Sequence, residues 1–246
     1  MELIALTRKP DVTYREILKL LESDPLITGR TLKIAESPVY ARGEPLRSLE
    51  QALTRLGLST LSDIFLQVSM STRVFRSASF AAPMEELRRH SVATAHAARL
   101  VCRATSLPDE YAFLCGLLHD IGAAACLLAL GDSGPKQAAQ LTIQQVRKPI
   151  WQLHAEVGRD VCKSWKLPPE IMMIVGHHHE PRIGGHVHPL AAAVLLADQL
   201  ASQAGFPSPV EPTRTGEPEN YLGLPDNAVL RLRTETTRHL ATAVDG

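Results

Sequence analysis

The chain has 246 residues, 45% of them hydrophobic and 21% charged, which is globular composition and enough length for one large domain or two modest ones. Its 26 basic residues balance 26 acidic ones, with ten histidines left neutral. The positive footprint that phosphate-backbone binding requires is therefore missing, and nucleic acid is not an expected partner.

In chain order, Val12, Ile17, Leu18, Leu20 and Leu21 set a helical apolar face over residues 12–23. Ser23-Asp24-Pro25 starts a second helix over 26–34, which Ser37-Pro38 breaks. A third begins at Ser48 and stops at Gly57, and a fourth covers about 59–74. Pro83 opens a long helix over 84–105, closed by Ser106-Leu107-Pro108. Residues 110–130 are apolar on nearly every face and read as one helix at the centre of a domain. Helices follow at about 136–146, 151–165, 168–179 and 189–203. Segment 205–225, with five prolines and three glycines, reads as a surface connection, and 227–242 as a terminal helix.

The expected fold class is all-α. It divides into an N-terminal helical part (1–82), a larger helical bundle (83–204), and a last stretch (205–246) holding the Pro/Gly-rich connection and the C-terminal helix. Arg88-Arg89 with Arg99 and Arg103, the densest basic patch, reads as the solvated face of a helix. Cys102, Cys115, Cys126 and Cys162 form no C-x-x-C pair and suit a reducing, cytoplasmic compartment. Residues 1–10 lack the features of a signal peptide. The longest uninterrupted apolar runs, 121–130 and 190–197, fall short of the ~20 residues a spanning helix needs, so no membrane partner is expected.

The chemistry gathers in the second block. Asp120, in Leu117-Leu118-His119-Asp120-Ile121-Gly122, is a carboxylate on an apolar helix, where burial in the ionised form is costly unless it is paired or binds metal. Asp198, after a run of alanines, valine and leucines, poses the same problem. His90, His154 and His177-His178-His179 supply imidazoles. Taken singly, each has a bland reading: a satisfied core histidine, a salt-bridged carboxylate, or a solvated helix C-terminus for the histidine triplet. His96, His186, His188 and His239 are read as structural or surface residues. As a set, the carboxylates and imidazoles make a divalent-metal cage, with imidazole suiting Zn, Fe or Ni and carboxylate moving the preference toward Mn or Mg.

His90, then His119-Asp120, then Asp198 resembles the H…HD…D signature of the HD superfamily of metal-dependent phosphohydrolases. His154-Ala155-Glu156-Val157-Gly158 and His178-His179-Glu180 resemble the further histidines of its HD-GYP branch. Ser23-Asp24-Pro25-Leu26-Ile27, Ile34-Ala35-Glu36-Ser37 and residues 48–58 (Ser48-Leu49-Glu50-Gln51 through Leu58) resemble the HDOD domain, the HD-related output domain. That resemblance runs from about residue 11 to 240. It implies an HD-superfamily helical bundle with an additional N-terminal helical subdomain, and a bacterial signalling or regulatory setting. It implies metal ligands at His90, His119, Asp120 and Asp198, with His154, His178 and His179 available for a second ion. One or two divalent ions are expected, with Fe, Mn, Zn or Ni as alternatives.

Two departures bear on activity. HD-GYP and many HD enzymes carry a phosphate-contacting lysine three residues after the aspartate, and this chain has Ala123. The Gly-Tyr-Pro loop is replaced by Glu180-Pro181-Arg182-Ile183-Gly184-Gly185, leaving Arg182 as the substitute phosphate contact. Both departures argue against cyclic-di-GMP hydrolysis. Three functional readings follow. One is a regulatory module acting through a protein partner or nucleotide signal. Another is a metallo-phosphohydrolase in which Asp120 or His178 moves a proton, and the third is a nucleotide sensor without turnover.

Overall fold

The computed structural model describes residues 77–109, 111–132, 141–212 and 216–244, with the short runs 54–57 and 74–75 and single positions between 13 and 67. The helices expected over 12–23, 26–34, 48–57 and 59–74 lie largely outside the described residues. Gly57, expected to stop one of them, has φ +74°, the left-handed conformation such a stop uses. The chain forms two compact units, one of Met1–Arg73 with Ala241–Gly246 and one of Val74–Leu240. The first boundary between the units falls at Arg73/Val74, and residues 205–240 lie in the second.

Among its described residues the second unit is mostly helical, with one short hairpin. Its first helix, α1 (Ala81–Thr105), ends at Ser106, whose φ of +55° turns its own N–H back to the Cys102 carbonyl. Its buried side runs from Met84 and Leu87 through His90, Val92 and Ala93 to Val101 and Cys102. The apolar stretch that follows is two helices, not one: α2 (Ala112–Leu118) and α3 (Ile121–Asp132) meet at a turn formed by His119-Asp120. By length and composition Ala112–Gly131 is apolar enough to cross a membrane, longer than the runs read from sequence, yet 72% of that window is buried within the protein. Such a stretch is equally what a core requires.

Helix α4 (Ile143–Ser164) runs unbroken through Pro149, where the sequence reading places a gap between two helices. Its start is fixed by Thr142, whose backbone N–H donates to Gln145 Oε1 at 2.8 Å. Helix α5 (Pro169–Gly176) stops before the histidine triplet. A hairpin of β1 (Arg182–Ile183) and β2 (His186–Val187) follows, a departure from all-α. Its two-residue loop, Gly184-Gly185, has φ of +60° and +84°, and two consecutive positive φ values are the tight-turn geometry that Gly-Gly supplies. Helix α6 (Pro189–Gln203), capped by His188 accepting from the Ala191 N–H, is buried from Leu190 to Ala201, and α7 (Asp226–Ala243) closes the described chain.

The largest packing interfaces are α1 on α6, α3 on α4, and α1 on α2. Two of them depend on glycine. A Cβ on Gly122 would overlap the His154 carbonyl oxygen of α4 and lie 2.5 Å from Gly158 N. A Cβ on Gly116 would lie 2.7 Å from Ala95 Cα of α1. Backbone therefore touches backbone on both sides of the His119-Asp120 turn, so both neighbouring helices sit close to the dyad.

Gly122→Ala must push α3 off α4 along rigid backbone. We expect a loss of about 3 kcal/mol or more, read as a fall in the urea midpoint.

His96 of α1 provides a second test. It lies edge-on to Phe113 (5.2 Å between ring centres) and its Nδ1 is 3.4 Å from His239 Nε2 of α7. Burial, then His239 and Arg99, push its pKa down to about 3. Above the ordinary value of 6.5 both folded and unfolded chains hold this ring neutral. Below it the unfolded chain takes a proton that the folded chain refuses. Stability is thus lost as pH falls from 6.5 toward 3, by at most about 1.4 kcal/mol per unit from this group. His96→Gln is expected to flatten that dependence in denaturation curves at pH 7 and pH 5.

Candidate metal centre

His90 comes from the interior of α1, His154 from α4 and Asp198 from α6. His119-Asp120 forms the α2–α3 turn, and His178-His179 follows the end of α5. All are buried except His179, which is partly exposed, and His177 points outward.

The rings are oriented by main-chain carbonyls. His119 Nδ1 donates to Gly116 O (2.8 Å), His154 Nδ1 to Trp151 O (2.7 Å) and His178 Nδ1 to Val175 O (2.6 Å), each three residues back. His90 Nδ1 donates to Phe206 O at 2.7 Å. A carbonyl can only accept, so each Nδ1 carries a proton, and in its neutral form each ring presents a bare Nε2. Gly116 and Val175 lie in the last turns of α2 and α5, where carbonyls have no intrahelical donor. This explains why two of the rings stand just past helix ends.

The bare nitrogens converge. His90 Nε2 lies 3.0 Å from His119 Nε2, and His154 Nε2 lies 3.2 Å from His178 Nε2 and 2.9 Å from His179 Nε2. Asp120 sits between the two sets. Its Oδ2 is 3.7 Å from both His90 and His119, and its Oδ1 is 3.3 Å from His154 and 3.7 Å from His178. Ser208 Oγ donates to Oδ2 at 2.9 Å, while Oδ1, fully buried, accepts no hydrogen bond. Asp198 Oδ1 is 3.3 Å from His90 Nε2.

Lone pairs facing lone pairs at hydrogen-bond distance need a proton or a cation between them. Protons are disfavoured here. Burial pushes His119 down to about 3, against the pull of Asp120, and burial likewise lowers His154 and His179. Burial alone would raise Asp120, but the surrounding imidazoles, His119 foremost, hold it well below the usual carboxylate range. Neutral imidazoles around an ionised carboxylate with an orphaned oxygen are the donor set of a divalent-cation site, and the residues fit one.

Glu211 joins them, and the sequence reading missed it. Asp120, His154, His178, His179 and Glu211 each offer an atom within 4.8 Å of the others, as do His90, His119, Asp120 and Glu211. Glu211 Oε1 is 3.4 Å from His179 Nε2. It arrives on residues 206–212, part of the segment expected to be a surface connection. Ser208, Val210 and Glu211 are instead buried against the cluster, and the segment is a strap across it. Proline and glycine marked it as irregular correctly. Only its partners reveal that it is covered.

Beside the strap is a cavity of about 440 Å³ whose lining includes Asp198, Gln199, Ser208, Glu211, Glu217 and Glu219. No described lining residue is cationic. Ala123 is fully buried. Arg182, expected at a phosphate, is exposed on β1, with its guanidinium 5.6 Å from the Tyr221 ring centre.

A cation that joins these donors binds only the folded chain. Adding Mn²⁺ or Zn²⁺ at about 100 times its dissociation constant is expected to add about 2.7 kcal/mol of stability. In a thermal melt against chelator-stripped protein that is a rise of roughly 5–10 °C.

The family model for the HDOD domain matches residues 1–181, which include the five clustered histidines and Asp120 but stop before Asp198 and the strap. Solved structures share the fold. A candidate metal-dependent phosphohydrolase of Shewanella amazonensis SB2B superposes with a TM-score of 0.69 at 24% identity, covering 98% of this chain and 89% of its own. An HDOD domain protein of unknown function from Geobacter sulfurreducens gives 0.66 at 21% identity, with 98% and 84% covered. With nearly three quarters of its length matched by that model, the chain belongs to the HDOD domain family.

Proposed function

We propose that this HDOD-family chain is a bacterial signalling or regulatory protein whose His/Asp cluster binds divalent metal, and which acts through a partner protein or a bound nucleotide. One observation carries the regulatory reading over the hydrolytic one. The cavity beside the cluster is lined by Asp198, Glu211, Glu217 and Glu219, and none of its described lining residues is cationic. A phosphoester would meet no cationic side chain among the described lining residues, and alanine stands at the position where relatives in the wider superfamily place lysine. The same wall favours a partner protein over a nucleotide. Its free cysteines, three of them buried, suit a cytoplasmic setting.

The convergence of bare imidazole nitrogens on Asp120 favours a second reading, a metal-dependent phosphohydrolase. His90, His119, Asp120 and Asp198 would hold one ion, and His154, His178 and His179 with Asp120 a second. Bound there, such ions supply hydroxide near neutral pH and polarise a phosphoryl oxygen. The chain's own part is to exclude water, to hold Asp120 Oδ2 through Ser208, and to move a proton at Asp120 Oδ1 or at His178 Nε2, 3.7 Å apart, whichever the ions leave unligated.

Elemental analysis after loading with Mn, Fe or Zn comes first, followed by a screen of phosphomonoesters, cyclic nucleotides and dinucleotides. The regulatory reading expects bound metal and no turnover. Turnover that His119→Ala or Asp120→Ala abolishes would establish the hydrolase instead.

A further inference from the structure

We propose that Glu211 is a metal ligand delivered by the 206–212 strap, a second carboxylate bridge beside Asp120, and that Arg147 of α4 is the residue that positions it. The proposal rests on the metal-site reading above.

Among the described residues, Asp120 and Glu211 are the two acids whose oxygens come within reach of both donor groups. One group holds His154, His178 and His179, the other His90 and His119. A carboxylate common to two donor sets is placed to contact an ion in each. Glu211 is only 6% exposed, and a carboxylate so far from water is costly unless positive charge meets it. Its Oε1 lies 3.4 Å from His179 Nε2, inside the cluster of donor atoms. A divalent ion among the same atoms would meet that charge directly.

The strap is built to hold that carboxylate still. Arg147 donates from Nη2 to the Glu211 carbonyl and from Nε, at 3.4 Å, to the Val210 carbonyl. A guanidinium offers its donors in a fixed fork, so it sets the direction of the peptide that carries the Glu211 side chain. Upstream, the Phe206 carbonyl receives His90 Nδ1, Ser208 holds Asp120, and the Arg89 guanidinium lies 5.2 Å from the Phe206 ring centre. Two of these fastenings engage cluster residues themselves. Strap and cluster are thus one assembly, in which a residue outside the family-matched segment completes the donor set.

The test counts ions rather than turnover. Full-length chains stripped with chelator are loaded with Mn²⁺ or Zn²⁺ and followed by elemental analysis and titration calorimetry, with apo melting temperatures measured in parallel. Wild type is expected to hold two ions. Glu211→Gln, nearly isosteric but uncharged, is expected to lose one or bind it at least about tenfold more weakly. Arg147→Met is expected to weaken metal binding about tenfold without changing the apo melt, and Arg147→Lys, which keeps the charge but not the fork, to recover part of it. Should the amide variant fail to fold, Glu211→Asp, which draws the carboxylate back by one methylene, is read the same way. Two ions with wild-type affinity in the Glu211 variant would overturn the bridge while leaving the metal site standing. Wild type that takes up neither ion would overturn the metal-site reading and the bridge together.

Discussion

Asp120 puts an ionised oxygen into a helical core from which water is excluded, and an oxygen there must meet positive potential. The surrounding rings lower its pKa, yet burial keeps His119, His154 and His179 neutral at physiological pH. Ser208 satisfies only one of its two oxygens. A divalent cation would balance the charge that protons do not. The helices on either side bring their donors to this one atom pair, and the strap covers it.

That convergence is set by steric room as much as by electrostatics. His154 lies 3.3 Å from Asp120 because α3 and α4 touch at Gly122 and Gly158, and α1 comes close to α2 because Gly116 lacks a side chain. The packing that excludes water and the packing that aims the donors are the same contacts. A substitution that loosened the core at either glycine would therefore widen the site as well.

The sequence announces a polar site most clearly where a polar residue interrupts an apolar run, which is why His119, Asp120 and Asp198 stand out. His154, His178 and His179 are legible through their order relative to the dyad. Glu211 is not, because Pro207, Pro209 and Pro212 around it carry the composition of an exposed loop, and its burial comes from long-range partners on α1 and α4. Similar limits shaped the helices. Periodicity does not show that 110–130 is cut at the dyad, since both halves are apolar on every side. Pro149 carries a local penalty that α4 overrides by packing along its length. The hairpin is too short to show alternation, and Gly184-Gly185 is its only local mark.

The carbonyls that receive the Nδ1 protons have a consequence for how this centre responds to mutation. Gly116, Trp151, Val175 and Phe206 contribute through atoms that every residue type possesses. Where a carboxylate side chain fixes a ring, one codon change can release it. Here the acceptor is retained under any replacement that preserves the local backbone trace. The tautomer and aim of three of these imidazoles are therefore robust to drift at Trp151, Val175 and Phe206, whereas Gly116 is held to glycine by its contact with Ala95. They are vulnerable instead to whatever unwinds a helix end or shifts the strap.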